Sequence, residues 1–247
     1  IDLPEKVSML TVAMKIPGDA LTYETAASNF NATVDVLGGV YDEKGQPVSS
    51  FKDAVKVNAA STDPAKLKSN RVIYTAQVPV KPGLYQVRVA VRDVQSKRMG
   101  SATEWIEVPD LSKGNLTLGG LFISELKAEA AADADVFKLS HLSVDRRFDK
   151  TSKLLFLTYI YNAARGAAAG TAPDVIVQLR VFSELKPVLT TVFRRVSTEG
   201  ITDLTRIPYS AEVPLAHMPP GRYTLQVTAN DRIGKTSTSQ VVHFAVE

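Results

Sequence analysis

The chain repeats itself, and the repeated segments carry a strand signature that few architectures accept. Tyr74-Thr-Ala-Gln-Val-Pro-Val80 matches Tyr209-Ser-Ala-Glu-Val-Pro-Leu215 at an offset of 209 − 74 = 135. Pro82-Gly-Leu-Tyr-Gln-Val-Arg-Val-Ala-Val-Arg-Asp93 matches Pro220-Gly-Arg-Tyr-Thr-Leu-Gln-Val-Thr-Ala-Asn-Asp231 at 220 − 82 = 138. The second copy therefore holds 138 − 135 = 3 extra residues between these segments, around His217-Met218. Upstream, Ser61-Thr62-Asp63 faces Ser197-Thr198-Glu199 at 197 − 61 = 136, and more loosely Tyr41 to Val48 faces Phe182 to Val188. Matches spread this widely point to duplicated domains rather than a duplicated motif.

Within the repeat, Tyr85, Val87, Val89 and Val91 share one face and Gln86, Arg88, Ala90 and Arg92 the other, which is the pattern of a half-buried antiparallel strand. In the second copy Tyr223, Leu225, Val227 and Ala229 keep the inner face while nearly every outer residue differs. Pro-Gly at the entrance supplies turn chemistry, and the aspartate at the far end is placed to start the next turn. Leu10, Val12, Met14 and Ile16 alternate in the same way, as do Val175, Val177, Leu179 and Val181. Roughly seven such runs per copy, punctuated by segments such as Glu43-Lys-Gly-Gln-Pro47, predict an all-β sandwich or barrel and disfavour a βαβ fold.

The boundary is expected in Pro109-Asp-Leu-Ser-Lys-Gly114, giving domains over 1–110 and 111–247. Helical signals are few: Asp63-Pro64-Ala-Lys-Leu-Lys68 offers an N-cap followed by Pro, and Leu126 to Ala134 is alanine-rich. Ala163 to Ala172, built from small residues, reads as a mobile loop between strands. The 29 Lys+Arg against 26 Asp+Glu are spread along the chain, so no polybasic arm is present to hold nucleic acid or an anionic membrane. No run approaches the length of a membrane-spanning helix. The first residues, Ile1-Asp2-Leu3-Pro4-Glu5-Lys6, lack an initiator Met and a basic-then-apolar leader, which fits a mature or excised fragment.

A tyrosine two residues after Pro-Gly, opening a strand with valine at alternate positions, resembles the tyrosine corner of immunoglobulin-like and fibronectin type III-like sandwiches, with Tyr85 and Tyr223 at the matching positions. The resemblance implies a phenol bonded to backbone a few residues upstream, and two tandem sandwiches of that class. More narrowly, Leu84-Tyr-Gln-Val-Arg-Val-Ala-Val-Arg-Asp93, then Gly100-Ser-Ala102 and Val108-Pro-Asp-Leu-Ser-Lys-Gly114, resembles the region downstream of the A-type domain in bacterial von Willebrand factor A-related proteins. That similarity is strongest across 71–124 and 206–246. The A-type domain itself is missing, because no Asp-x-Ser-x-Ser motif occurs, so metal-dependent adhesion does not carry over. What carries over is an accessory module of an exported or envelope-associated protein.

Chemistry-bearing motifs are scarce. Zero cysteines exclude disulfides, thiolate nucleophiles and every Cys-containing zinc site, and the three histidines, His141, His217 and His243, are too dispersed for close ligand spacing. No Gly-x-Ser-x-Gly elbow occurs, and Gly234-Lys235-Thr236 lacks the upstream glycine of a phosphate loop. Asp133-Ala-Asp135 lacks the further ligands of a calcium loop. Asp145-Arg146-Arg147-Phe148-Asp149 and Phe193-Arg194-Arg195 set paired arginines beside an aromatic, a combination that clamps anions, although Asp145 and Asp149 are placed to neutralise the first pair locally. Trp105, the lone tryptophan, suits a sugar-stacking platform, but with aromatics at 7% it is expected in core or inter-domain packing instead. These residues leave Arg146, Arg147 and Trp105 as candidate ligand contacts. The sequence predicts no enzyme, catalytic residue, metal or cofactor. It predicts a structural spacer or protein-interaction region whose partner is a protein or a neighbouring domain of the full-length chain. The alternative is a glycan- or peptide-binding module using end loops or a strand edge.

Overall fold

The computed structural model of the 247-residue chain describes residues 7–26, 29–59, 71–126, 142–168 and 171–247. The expected helical turn at Asp63–Lys68, most of the alanine-rich Leu126–Ala134 segment, the Asp133 and Asp135 pair and His141 lie outside these residues, and Leu126 itself closes a strand. The described residues are all-β, without an α-helix, and their strands form largely antiparallel sheets layered around apolar cores. No helix among them is long and apolar enough to cross a membrane. The chain divides into two compact units, Ile1–Asp110 and Leu111–Glu247.

Unit 1 contains β1 (Ser8–Pro17), β2 (Glu24–Ala26), β3 (Asn29–Asp42), β4 (Pro47–Ala59), β5 (Arg71–Val80), β6 (Gly83–Asp93) and β7 (Met99–Val108). One layer is the pair β1–β5; the other runs β4–β3–β6–β7, with β2 beside the start of β3. Alternation places Val12, Met14 and Ile16 of β1 and Val78 and Val80 of β5 in one core with Val34, Val36, Val40, Tyr85 and Val87. Val89 and Val91, further along β6, are only half-buried.

Gly38 of β3 is needed for room. It pairs with Phe51 of β4, whose ring stacks on Tyr74 of β5 at 6.1 Å, and a Cβ on Gly38 would stand 2.0 Å from that ring. Gly38→Val is therefore expected to destabilise unit 1 by about 1–3 kcal/mol through overpacking. The check is a lower urea midpoint with an unchanged m-value.

Unit 2 contains β8 (Thr117–Leu118), β9 (Phe122–Leu126), β10 (Arg147–Phe148), β11 (Lys153–Tyr161), β12 (Val175–Ser183), β13 (Lys186–Thr190), β14 (Arg194–Arg195), β15 (Arg206–Pro214), β16 (Gly221–Asp231) and β17 (Thr236–Val246). One layer runs β15–β11 with β8 and β9 on the far edge of β11. The other runs β13–β12–β16–β17–β10, with β14 also beside β12, and β10–β17 is a parallel pair. Val175, Val177, Leu179 and Val181 from β12 join Leu154, Phe156 and Ile160 from β11 and Leu225, Val227 and Ala229 from β16 in its core.

Several strands of the two units occupy equivalent places. β6 and β16 share both limits at 221 − 83 = 231 − 93 = 138. The hairpins β3–β4 and β12–β13 each carry a register shift, between Val40 and Tyr41 and between Val181 and Phe182, at 181 − 40 = 141. Such a bulge adds local twist where the hairpin leaves the sheet. β8, β9 and β10 have no counterpart in unit 1 among the described residues.

Candidate functional site

The repeated aspartates are buried, and each ties together two loops at one end of its unit. Asp231 closes β16. Its Oδ1 accepts the amides of Ile233 and Gly234, both at 2.9 Å, and its Oδ2 accepts the amide of Ala164, in the loop after β11, at 2.6 Å. Asp93 closes β6 in the same way. Its Oδ2 accepts the Ser96 amide and hydroxyl and the amide of Thr22, the latter in the loop after β1. A carboxylate accepting several amides stands in for backbone pairing that these turns lack. In unit 2 this arrangement also occupies Gly234, whose amide a phosphate at Gly234-Lys235-Thr236 would need.

Burial works against the charge of Asp93, but the hydrogen bonds from Ser96 and Thr22 outweigh it and hold the carboxyl below the usual carboxylate range. A lowered folded-state value means a stability contribution that is complete above the ordinary carboxylate range and lost as pH falls through the lowered one. Urea midpoints of unit 1 taken between about pH 6 and about pH 2 are expected to fall on the acid side, and Asp93→Asn to flatten that fall.

The tyrosine positions are both buried. Tyr223 Oη donates to the Pro219 carbonyl at 2.6 Å, four residues upstream, and its ring stacks on Phe244 at 5.5 Å. Tyr85 pairs with Asp42 of β3 and Ile106 of β7. Tyr223→Phe is expected to cost about 1 kcal/mol, the net worth of one buried hydrogen bond, with packing retained. Thermal unfolding of the single-atom variant reads it directly.

Trp105 does not lie in the core. It is 53% exposed, opposite Gln86 on the outer face of β6 and β7. Strand parity is the reason: Val108 points inward, so Ile106 and Glu104 share its face and Trp105 takes the other. Its counterpart His243 is also exposed, with Nδ1 hydrogen-bonded to Thr224 Oγ1 at 2.9 Å. His217 sits in the lengthened turn after β15.

The arginine pair follows its local reading in part: the charge of Asp145 favours the Arg147 cation, but the ion pair itself is made elsewhere. Arg147 is ion-paired with Glu247, not held by Asp149, which instead accepts the amide and hydroxyl of Thr151. The partner comes from the far end of the chain because β10 runs alongside β17. Arg146 adopts φ +53° and is exposed, while Phe148, the last residue of β10, is buried in the core. At the second pair, Arg195 and Arg232 both engage Asp174, at 2.9 and 3.4 Å. Trp105 belongs to unit 1 and the arginines to unit 2.

Two further surfaces were not anticipated. On β11, Tyr159 and Tyr161 lie 6.4 Å apart on the outer face, and the Arg206 guanidinium covers Tyr159 at 3.9 Å. The Tyr-x-Tyr spacing was the available signal. Burial pushes the Tyr161 hydroxyl above its ordinary value against the opposing pull of Arg206. The second surface is the inner face of β7, exposed from Gly100 to Ile106. No group of three or more potential metal ligands occurs among the described residues. Against known proteins, no family model matches the chain and no curated relative does.

Proposed function

We propose that the chain is a non-catalytic tandem of two immunoglobulin- or fibronectin type III-like sandwiches, serving as a spacer or protein-interaction region of an exported bacterial protein. The supporting observation is the match of β6 and β16 in limits and sequence pattern, with apolar inner positions kept and outer ones changed. The two buried aspartates are engaged in holding loops together, which is a scaffold role. A spacer must hold one separation. Spin labels at exposed Ser50 and Ser239 are therefore expected to give one narrow distance distribution by pulsed dipolar spectroscopy. A broad distribution would reject the spacer role.

The exposure of Trp105 favours a second reading, a glycan- or peptide-binding module. Glycan arrays and peptide pull-downs separate the two. Saturable binding abolished by Trp105→Ala or Arg146→Ala would favour the binding module over the spacer.

A further inference from the structure

On the outer face of unit 1, Tyr41 of β3, Gln86 of β6 and Trp105 of β7 stand in one row, because Gln86 pairs with both of the others. The row is about 10 Å wide from the first backbone to the last, two strand spacings. The Tyr41 ring leans over Gly39, where a Cβ would stand 2.8 Å from it. Arg88, two residues further along β6 on the same face, turns back into this row. Its guanidinium covers the Tyr41 ring at 4.5 Å, and its Nε donates to Gln86 Oε1 at 2.6 Å.

The guanidinium is thus held by two neighbours without being neutralised. Arg88 has no ion pair among the described residues, whereas Arg92, the next arginine on the same face, is paired with Asp35 at 2.6 Å. Arg206, also stacked on a tyrosine, has the charge of Asp203 beside it. The equivalent row of unit 2 is differently made. Phe182, Thr224 and His243 stand there, and Gln226 replaces Arg88, at 182 − 41 = 141 and 224 − 86 = 243 − 105 = 226 − 88 = 138. Thr224 and His243 are hydrogen-bonded to each other, so that row offers no guanidinium and fewer free polar atoms. On the four strands β4, β3, β6 and β7, Lys52, Lys56, Arg88 and Arg92 share the outer face with Asp35 and Glu107, which leaves it positive.

A fixed guanidinium without an acid presents its Nη donors as a fork that matches a carboxylate. Across Gln86 from it, the Trp105 indole is 53% exposed and offers a flat face whose π cloud attracts the polarised C–H bonds of a sugar ring. Gln86 Nε2, left over when Oε1 accepts from Arg88, stands between them as a donor for a hydroxyl. We propose that this row binds a glycan carrying carboxylates, with a sugar ring on Trp105 and a uronate carboxylate on Arg88. A footprint three strands wide suits about two sugar residues and falls far short of the roughly 800 Å² a side of a stable protein interface. The flanking charges, Lys52 and the Arg92–Asp35 pair, must be desolvated beneath a protein but stay wet beside a glycan. The inference names the ligand class and the residues for the binding-module reading of Trp105, and rests on that reading.

Trp105 is the lone tryptophan, so its fluorescence in the intact 247-residue chain reports on this row directly. The probes are oligomers of galacturonate, mannuronate and glucuronate, each compared with its carboxyl-reduced counterpart at low salt. At least one uronate oligomer is expected to change the emission saturably, and its carboxyl-reduced form to bind about tenfold more weakly. By calorimetry, Arg88→Gln and Arg88→Lys are each expected to weaken binding about tenfold, the second because it keeps the charge without the fork. Trp105→Ala is expected to abolish binding and Arg206→Gln to leave it unchanged. Failure of all three uronates to bind overturns the proposal, as does equal binding of the carboxyl-reduced forms or indifference to Arg88→Gln. Binding of a neutral glycan or a peptide at Trp105 overturns the acidic ligand and leaves the binding-module reading standing, whereas absence of saturable binding by any glycan or peptide fails both.

Discussion

Asp231→Ala is expected to destabilise unit 2 by about 3 kcal/mol, because it removes a buried charged acceptor from three backbone amides at once. Two of those amides, of Ile233 and Gly234, belong to the turn between β16 and β17, and the third, of Ala164, to the loop after β11. The substitution therefore releases two loops rather than one bond. Asp231→Asn keeps one carbonyl oxygen and is expected to recover part of the loss. Asp93→Ala is expected to cost less, since all the bonds of Asp93 run through Oδ2 while Oδ1 is buried without a partner. Denaturant titration with exchange at Ala164, Ile233 and Gly234 measures both parts. A variant with native stability and slow exchange at those amides would show that the carboxylate is dispensable.

Phe156→Ala is expected to have the larger effect, about 3–5 kcal/mol, enough to unfold a marginal domain. Phe156 is fully buried at the centre of β11, between β9 and β15, and its ring lies 6.0 Å from that of Tyr209. Removing it takes away the transfer energy of the ring and leaves a cavity that neighbours fixed by two sheets cannot refill. Phe156→Leu is expected to retain most of the stability. Scanning calorimetry is the check, with the loss confined to the transition of unit 2; an equal loss in unit 1 would contradict separate cores.

The inner faces were legible because burial follows period two. Val12, Met14 and Ile16, and Val175, Val177, Leu179 and Val181, are buried as their alternation predicts, while Leu10 at the start of β1 is half-buried. β6 and β16 begin at the glycine after the repeated proline and end at the repeated aspartate. What the alternation did not reveal is which inner positions another strand covers. Val89 and Val91 read like Val227 and Ala229, yet only the second pair is fully buried, since cover depends on strands distant in sequence. Trp105 lies outside the core of its unit because its parity relative to Val108, rather than the size of its ring, decided its face. The partner of Arg147 was beyond local reading because Glu247 lies 100 residues away.

The central claim is that each unit encloses its own core, so that either one specifies a sandwich by itself. Residues 111–247 expressed alone test this most directly. The expected result is a single cooperative unfolding transition with strong amide protection in β11, β12 and β16. A fragment that unfolds without cooperativity, or that gains protection only when residues 1–110 are supplied, would contradict it.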